Sequence, residues 1–172
     1  AELVVNTAAV VSNTAPRELY WRISVNGVRK VLDAAVAAGA RRFVQISSCA
    51  AFGKQFPPDV EETYPVAAAT GRNYDDAKGG SEHPALAAHA AGEIACTIIR
   101  PGDVYGPGSR PWVLIPLETI AGGMFLLPAH GKGILSPIYV DDLVDGIVLA
   151  AGSSAAAGQI FSLTGGAGVT CE

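Results

Sequence analysis

A phenol and an ammonium four residues apart, Tyr74 and Lys78, are the pair in this chain best suited to moving a proton. In a helix over residues 73 to 91 they fall at i and i+4 and share one face, so both side chains reach the same small volume. At about 4 Å and an effective dielectric of about 20, a unit positive charge contributes roughly 4 kcal/mol, or about three pKa units, which would bring a tyrosine from about 10 towards 7. A phenol poised there exchanges a proton with an alcohol or a carbonyl at working pH. Upstream, Ser47 and Ser48 close an apolar run and bring hydroxyls into the same argument.

The elements that must position these groups alternate. Leu3 to Thr7 reads as a short buried strand, and Ser12 to Arg17 as a loop. Residues 18 to 38 carry Ile23, Val28, Leu32, Ala35 and Val36 at helical spacing, with Gly39 as a stop. Phe43 to Ile46 is a second strand, and a long loop marked by Pro57, Pro58 and Pro65 leads to the helix of Tyr74, which ends at Gly92. Ala95 to Ile99 is a third strand. Strands separated by helices in this rhythm imply an α/β class, a doubly wound parallel sheet with right-handed crossovers. Ligands of such sheets collect at the carboxyl ends of strands, where Ala8-Ala9, Ser47-Ser48 and Pro101-Gly102 fall.

Only 16% of residues are charged, well below the roughly 25% of an ordinary soluble domain, so the chain reads as interior cut from something larger. A net charge of −4 without a basic run argues against nucleic acid as a partner. No apolar stretch approaches the roughly 20 residues that span a bilayer, which argues against a membrane partner. Cys49, Cys96 and Cys171 show no metal-ligand spacing and leave one thiol over in any pairing, which favours a reducing cytoplasm; His83, His89 and His130 share no ligand spacing either, so no metal is expected.

Four segments together carry a resemblance: ARRFVQISSCAAFG at 40 to 53, YDDAK at 74 to 78, IIRPGDVYGPG at 98 to 108 and PIYVDDLVDGIVLAA at 137 to 151. In order and spacing they resemble the extended short-chain dehydrogenase/reductase family, which includes NAD-dependent epimerase/dehydratases and 3β-hydroxysteroid-dehydrogenase-like enzymes. The resemblance runs from NTAAVVS at 6 to 12 through FSLTGG at 161 to 166. It implies a Rossmann-like fold lacking its first βαβα units, because the chain opens on a strand with no glycine-rich turn after it. On this reading residues 1 to 172 are a partial NAD(P)-binding domain from the centre of a longer enzyme, with parts of a substrate-binding region at about 103 to 138 and 165 to 172.

The resemblance also implies roles. Ser48 matches the catalytic serine, whose hydroxyl holds the substrate oxygen; the alternative is that it only caps a turn. Lys78 matches the lysine that holds the nicotinamide ribose and lowers the tyrosine pKa; the alternative is a solvated lysine beside Asp75 and Asp76. Ala8 and Ala9 would let NAD or NADP lie against the strand end, and Pro101, Gly102 and Val104 match backbone near the carboxamide, although Gly102 could serve a turn alone. Asp103 and Arg110 are expected on the substrate side, or as solvated charges paired with each other. An aspartate at 103 can only accept hydrogen bonds, which suits a neutral alcohol better than a sugar diphosphate. Asp141 and Asp142 are expected to cap a helix starting near Leu143. Ser24 and Val28 stand where the family commonly has asparagine and threonine, leaving the local hydrogen bonding there open. The activity implied is interconversion of a secondary alcohol and a ketone, with a small-molecule substrate and room for a homodimer. Alternatives are a sugar-nucleotide epimerase or dehydratase, or a dinucleotide-binding sensor without turnover.

Overall fold

Apolar runs bounded by turn formers pair side by side in the computed structural model, which describes residues 1–12, 14–54, 56–57, 59–67, 69–124 and 128–170; Pro58, Cys171 and Glu172 lie outside the described residues. In chain order these runs begin with β1 (Leu3–Asn6), α1 (Arg17–Tyr20), α2 (Asn26–Ala37), β2 (Arg42–Ile46), α3 (Asn73–Ala90) and β3 (Ala95–Pro101). They continue with β4 (Asp103–Tyr105), α4 (Ile115–Ala121), β5 (Ile134–Leu135), β6 (Pro137–Tyr139), α5 (Val140–Gly152), β7 (Ile160–Leu163) and β8 (Val169–Thr170). The main sheet has the order β1-β2-β3-β7, with β1, β2 and β3 parallel and Val44 opposite Val5 on one side and Thr97 on the other. This is the α/β Rossmann-like class expected from the alternation.

Chain contacts divide the described structure into two compact units. One is Ala1–Arg100 with Ile147–Ser162, and the other is Pro101–Gly146 with Leu163–Glu172. The core of the first is built from Val28, Leu32 and Ala35 of α2, Phe43 of β2, Ala85 and Ala88 of α3, and Cys96 and Ile98 of β3, all buried. Removing such side chains from water is the main force that holds α2 and α3 on the sheet. In the second unit β4 pairs parallel with β6, and β5 antiparallel with β8.

Two details depart from the sequence reading, and one point it left open is filled. The helix expected over 18 to 38 forms in pieces, α1 and α2 joined by a π-helical turn at Trp21–Val25. Ser24, buried within that turn, accepts the Val10 N–H at 2.9 Å, so a serine does anchor the loop after β1. Asp141 and Asp142 do not precede their helix: α5 starts at Val140, and both carboxylates lie in its first turn, where the helix dipole favours them. No helix among the described residues is long and apolar enough to cross a membrane.

Candidate active site

The end of β2 sets Ser48. The Ser47 N–H donates to the Ile99 carbonyl at 2.7 Å, extending the ladder by one residue. Ser48 is then extended, with φ −167°, and caps the short 3-10 turn Cys49–Phe52 by accepting the Ala50 N–H at 3.1 Å. Gly53 ends that turn at φ +79°, where an added Cβ would lie 2.9 Å from the Ala67 side chain, so glycine is required. Ser48 thus does cap a turn, but a hydroxyl has two acceptor positions and one donor, so the cap leaves its O–H free to act elsewhere. That hydroxyl acts on the Tyr74 phenol in the direction that lowers its pKa.

Tyr74 and Lys78 lie on α3, whose start is fixed by Asp76. Its Oδ1 accepts the N–H and the hydroxyl of Thr70, both at 2.7 Å, and its Oδ2 pairs with Arg17 at 3.4 Å. Asp75 pairs with Arg72 at 3.6 Å, and burial pushes its carboxyl above the usual range while Arg72 and Lys54 pull the other way. Neither acid therefore turns Lys78 into a solvated residue. Lys78 is 6% exposed, its Nζ donates to the Ile46 carbonyl at 3.1 Å, and burial lowers its pKa to about 8 against the raising effect of Glu82.

The acid shift expected for Tyr74 is not what this structure holds. Lys78 Nζ lies 5.8 Å from the centre of the phenol ring and bonds to the Ile46 carbonyl. Burial dominates instead and raises Tyr74 above 10, with Asp75 and Tyr20 adding to the rise and the Ser48 hydrogen bond opposing it.

Behind these groups lies a polar cluster that the sequence reading passed over. Glu82, one turn beyond Lys78, takes a two-pronged bond from Arg100, with Nε to Oε1 at 2.9 Å and Nη2 to Oε2 at 2.8 Å. Ser47 Oγ donates to the same Oε1 at 2.6 Å. The signal was present: Glu82 continues the i, i+4 stripe of Tyr74 and Lys78, and Arg100 is the one charge on a strand that is otherwise apolar or small. A second such pair sits at the strand ends, where Asn6 Nδ2 donates to Gln45 Oε1 at 2.8 Å and Asn6 Oδ1 accepts the Ala8 N–H at 3.3 Å. Ala8 is exposed there and Ala9 half-buried.

The remaining expected site residues belong to the second unit. Pro101 closes β3, and at Gly102 an added Cβ would lie 2.2 Å from the Ser136 carbonyl oxygen, so close backbone packing explains that glycine. Val104 pairs with Ile138 in the β4–β6 ladder. Asp103 bonds Ser136 twice, through its N–H to the Ser136 carbonyl and through Oδ2 from the Ser136 N–H, each at 2.8 Å. Arg110 does not pair with Asp103; it reaches Glu118 at 3.4 Å on an exposed surface. Among the described residues no group of three or more His, Cys, Asp or Glu could hold a metal ion.

The chain is similar to known proteins in sequence and in fold. Residues 1–163 match the model of the NAD dependent epimerase/dehydratase family. A dTDP-glucose 4,6-dehydratase of Streptomyces griseus is 30% identical over 152 residues, covering 87% of this chain and 45% of the relative. The 3beta-hydroxysteroid-dehydrogenase/decarboxylase isoform 1 of Arabidopsis thaliana is 25% identical over 170 residues, 96% of this chain and 38% of the relative. Among solved structures, a dTDP-glucose 4,6-dehydratase of Streptomyces venezuelae with NAD bound superposes with a TM-score of 0.85 at 28% identity, covering 98% of this chain and 53% of that one. The chain thus spans about half the length, or less, of these relatives. The motifs, the parallel sheet and the match over nearly the whole sequence make this chain a member of the NAD-dependent epimerase/dehydratase family, within the extended short-chain dehydrogenase/reductases.

Proposed function

We propose that the full-length protein is an NAD-dependent oxidoreductase interconverting a secondary alcohol and its ketone, with Tyr74 as acid–base, Ser48 as donor to the substrate oxygen and Lys78 as the neighbouring cation. The observation that carries this reading is the Lys78 ammonium 5.8 Å from the centre of the Tyr74 ring, with the Ser48 hydroxyl acting to lower the pKa of the same phenol. The residues present fit the nicotinamide-ribose end of NAD. An ammonium has three N–H donors; one goes to the Ile46 carbonyl, and two remain for ribose hydroxyls, while exposed Ala8 offers no bulk at the strand end. When bound, NAD would supply the hydride acceptor or donor. Tyr74, whose pKa burial raises, is protonated at neutral pH and set to give its proton to a carbonyl oxygen, and Ser48 steadies the charge on that oxygen.

A second reading, a sugar-nucleotide epimerase or dehydratase using the same three residues, gains from Asp103. Its carboxylate holds the Ser136 N–H, so it gives no ground for rejecting a diphosphate. Nicotinamide absorbance during incubation with a 3β-hydroxysteroid and with dTDP-glucose separates the two: a net change for a dehydrogenase, little for an epimerase. Tyr74→Phe should lower turnover at least a hundredfold with whichever substrate reacts. Full turnover in that variant overturns the assignment of Tyr74 in both readings.

A further inference from the structure

Tyr74, Lys78 and Glu82 stand at successive i, i+4 positions of α3 and form one stripe. The last of them is also the hub of the cluster behind the site. Glu82 and Arg100 are each 2% exposed as side chains, and their two-pronged contact uses both carboxylate oxygens. Glu82 Oε1 also accepts Ser47 Oγ at 2.6 Å. Arg100 goes further, with Nη1 donating to the Glu62 carbonyl at 3.1 Å and its guanidinium 4.5 Å from the Phe52 ring centre. The pair therefore joins α3, β3, the residue before Ser48 and the turn after it. An ion pair this deep is not better for stability than two apolar side chains of the same volume, because both charges lose their water. What a fork-shaped pair supplies that an apolar pair does not is a fixed direction for each partner.

We propose that Glu82 and Arg100 are positioning residues of the proton-transfer site: Arg100 fixes the Glu82 carboxylate, and Glu82 holds Ser47, and with it Ser48, against the Tyr74–Lys78 face of α3. This rests on the proposed Ser48–Tyr74–Lys78 site. It also gives Glu82 an electrostatic part, as the anion one helical turn from the Lys78 ammonium. Tyr74 lies beside that ammonium and Glu82 acts on it; Arg100 pairs with Glu82. At the neighbouring positions of α3, Asp75 and Tyr20 act on Tyr74, Arg72 and Lys54 act on Asp75, and Arg17 pairs with Asp76. Glu82 is the charge that acts on Lys78 against burial.

Two titrations of the full-length protein test this without a substrate. The phenolate absorbance of Tyr74, taken as the difference from Tyr74→Phe, should move to higher pH in Ser48→Ala, because the hydrogen bond that opposes the rise is lost. Arg100→Lys, which keeps the charge but not the fork, should reproduce that upward shift, as should Glu82→Gln. The Lys78 ε-carbon resonance, assigned by its loss in Lys78→Met, should titrate about one unit below its midpoint near 8 in Glu82→Gln and stay in place in Arg100→Lys. If Glu82→Gln does not fold, the double variant Glu82→Gln/Arg100→Gln removes both charges together, and the Lys78 midpoint should fall there as well. Folded Arg100→Lys and Glu82→Gln proteins with Tyr74 titrating as in the unaltered protein, or a folded Glu82→Gln protein with Lys78 unmoved, overturn the proposal. An unmoved Tyr74 in Ser48→Ala is a different failure, since it removes the Ser48–Tyr74 contact on which the proposed function stands.

Discussion

Two arginine–glutamate pairs, one in each unit, show what burial does to the same chemistry. Arg100–Glu82 is 2% exposed on both sides and makes a two-pronged contact at 2.8 and 2.9 Å. Arg110–Glu118 is 66% and 60% exposed and makes a single contact at 3.4 Å. In the first pair each charge has lost its water and depends on the other; in the second, water screens the attraction and competes for both partners. The buried pair sets positions around the candidate site, whereas the exposed pair leaves its residues free to move.

The sharpest way to break the comparison is to remove one arginine at a time. Arg100→Met leaves the Glu82 carboxylate buried without its main partner and should cost about 3–5 kcal/mol of folding stability. Glu82→Met/Arg100→Met, which leaves no charge behind, should recover most of that loss, because Ser47 Oγ keeps the Lys78 carbonyl at 3.3 Å and the Glu62 carbonyl loses only the Arg100 donor. Urea unfolding of both variants measures the two values. A double variant no more stable than Arg100→Met means that packing around these side chains, and not the stranded charge, sets the cost.

This pair also marks the limit of what was legible in the sequence. The strands, the helix of Tyr74 and the α/β class follow from apolar spacing and turn residues, since those local signals agree with the fold. Spacing also put Tyr74 and Lys78 on one face. It did not show where the Lys78 ammonium points, because the Ile46 carbonyl that receives it comes from β2, outside the helix. For the same reason the phenol was expected to be acidic when burial makes it less so. In sequence Asp103 and Arg110 read either as substrate-side residues or as solvated charges paired with each other; for the pairing, Ser136 and Glu118 take those places. Glu82, Arg100 and Ser47 come from three segments, so their meeting is a property of the packed sheet and not of any window of sequence.

Lys78 sharpens the comparison from within the buried region, since its charge lacks a two-pronged partner. Its pKa falls from 10.5 to about 8, so between those values the unfolded chain holds a proton that the folded chain has lost. Stability therefore rises with pH across that window and carries the full burial cost, about 3 kcal/mol, below it. Tyr74, raised above 10, works the other way at the alkaline end, because the unfolded chain then loses its proton first. The contribution of Lys78 is isolated by comparison with Lys78→Met, in which the rise between pH 8 and 10.5 should be absent. Parallel stability profiles for the two proteins would mean that the ammonium reaches water despite its 6% exposure.

The smallest effect should come from the exposed pair. Arg110 opens a π-helical turn at Arg110–Leu114 and Glu118 lies in α4, so their contact joins neighbouring pieces of one segment that backbone bonds already hold. Val113 and Leu114 both donate N–H to the Ser109 carbonyl at 3.0 Å, and neither bond involves the Arg110 side chain. Truncating Arg110→Ala should change stability by no more than about 1 kcal/mol, and a double-mutant cycle with Glu118→Ala should give a coupling of about 0.5 kcal/mol that fades in high salt. A coupling near that of the buried pair, or one that high salt leaves intact, would show that something in the full-length protein covers this surface and takes its water away. The contrast between the two pairs would then belong to this chain alone and not to the full-length protein.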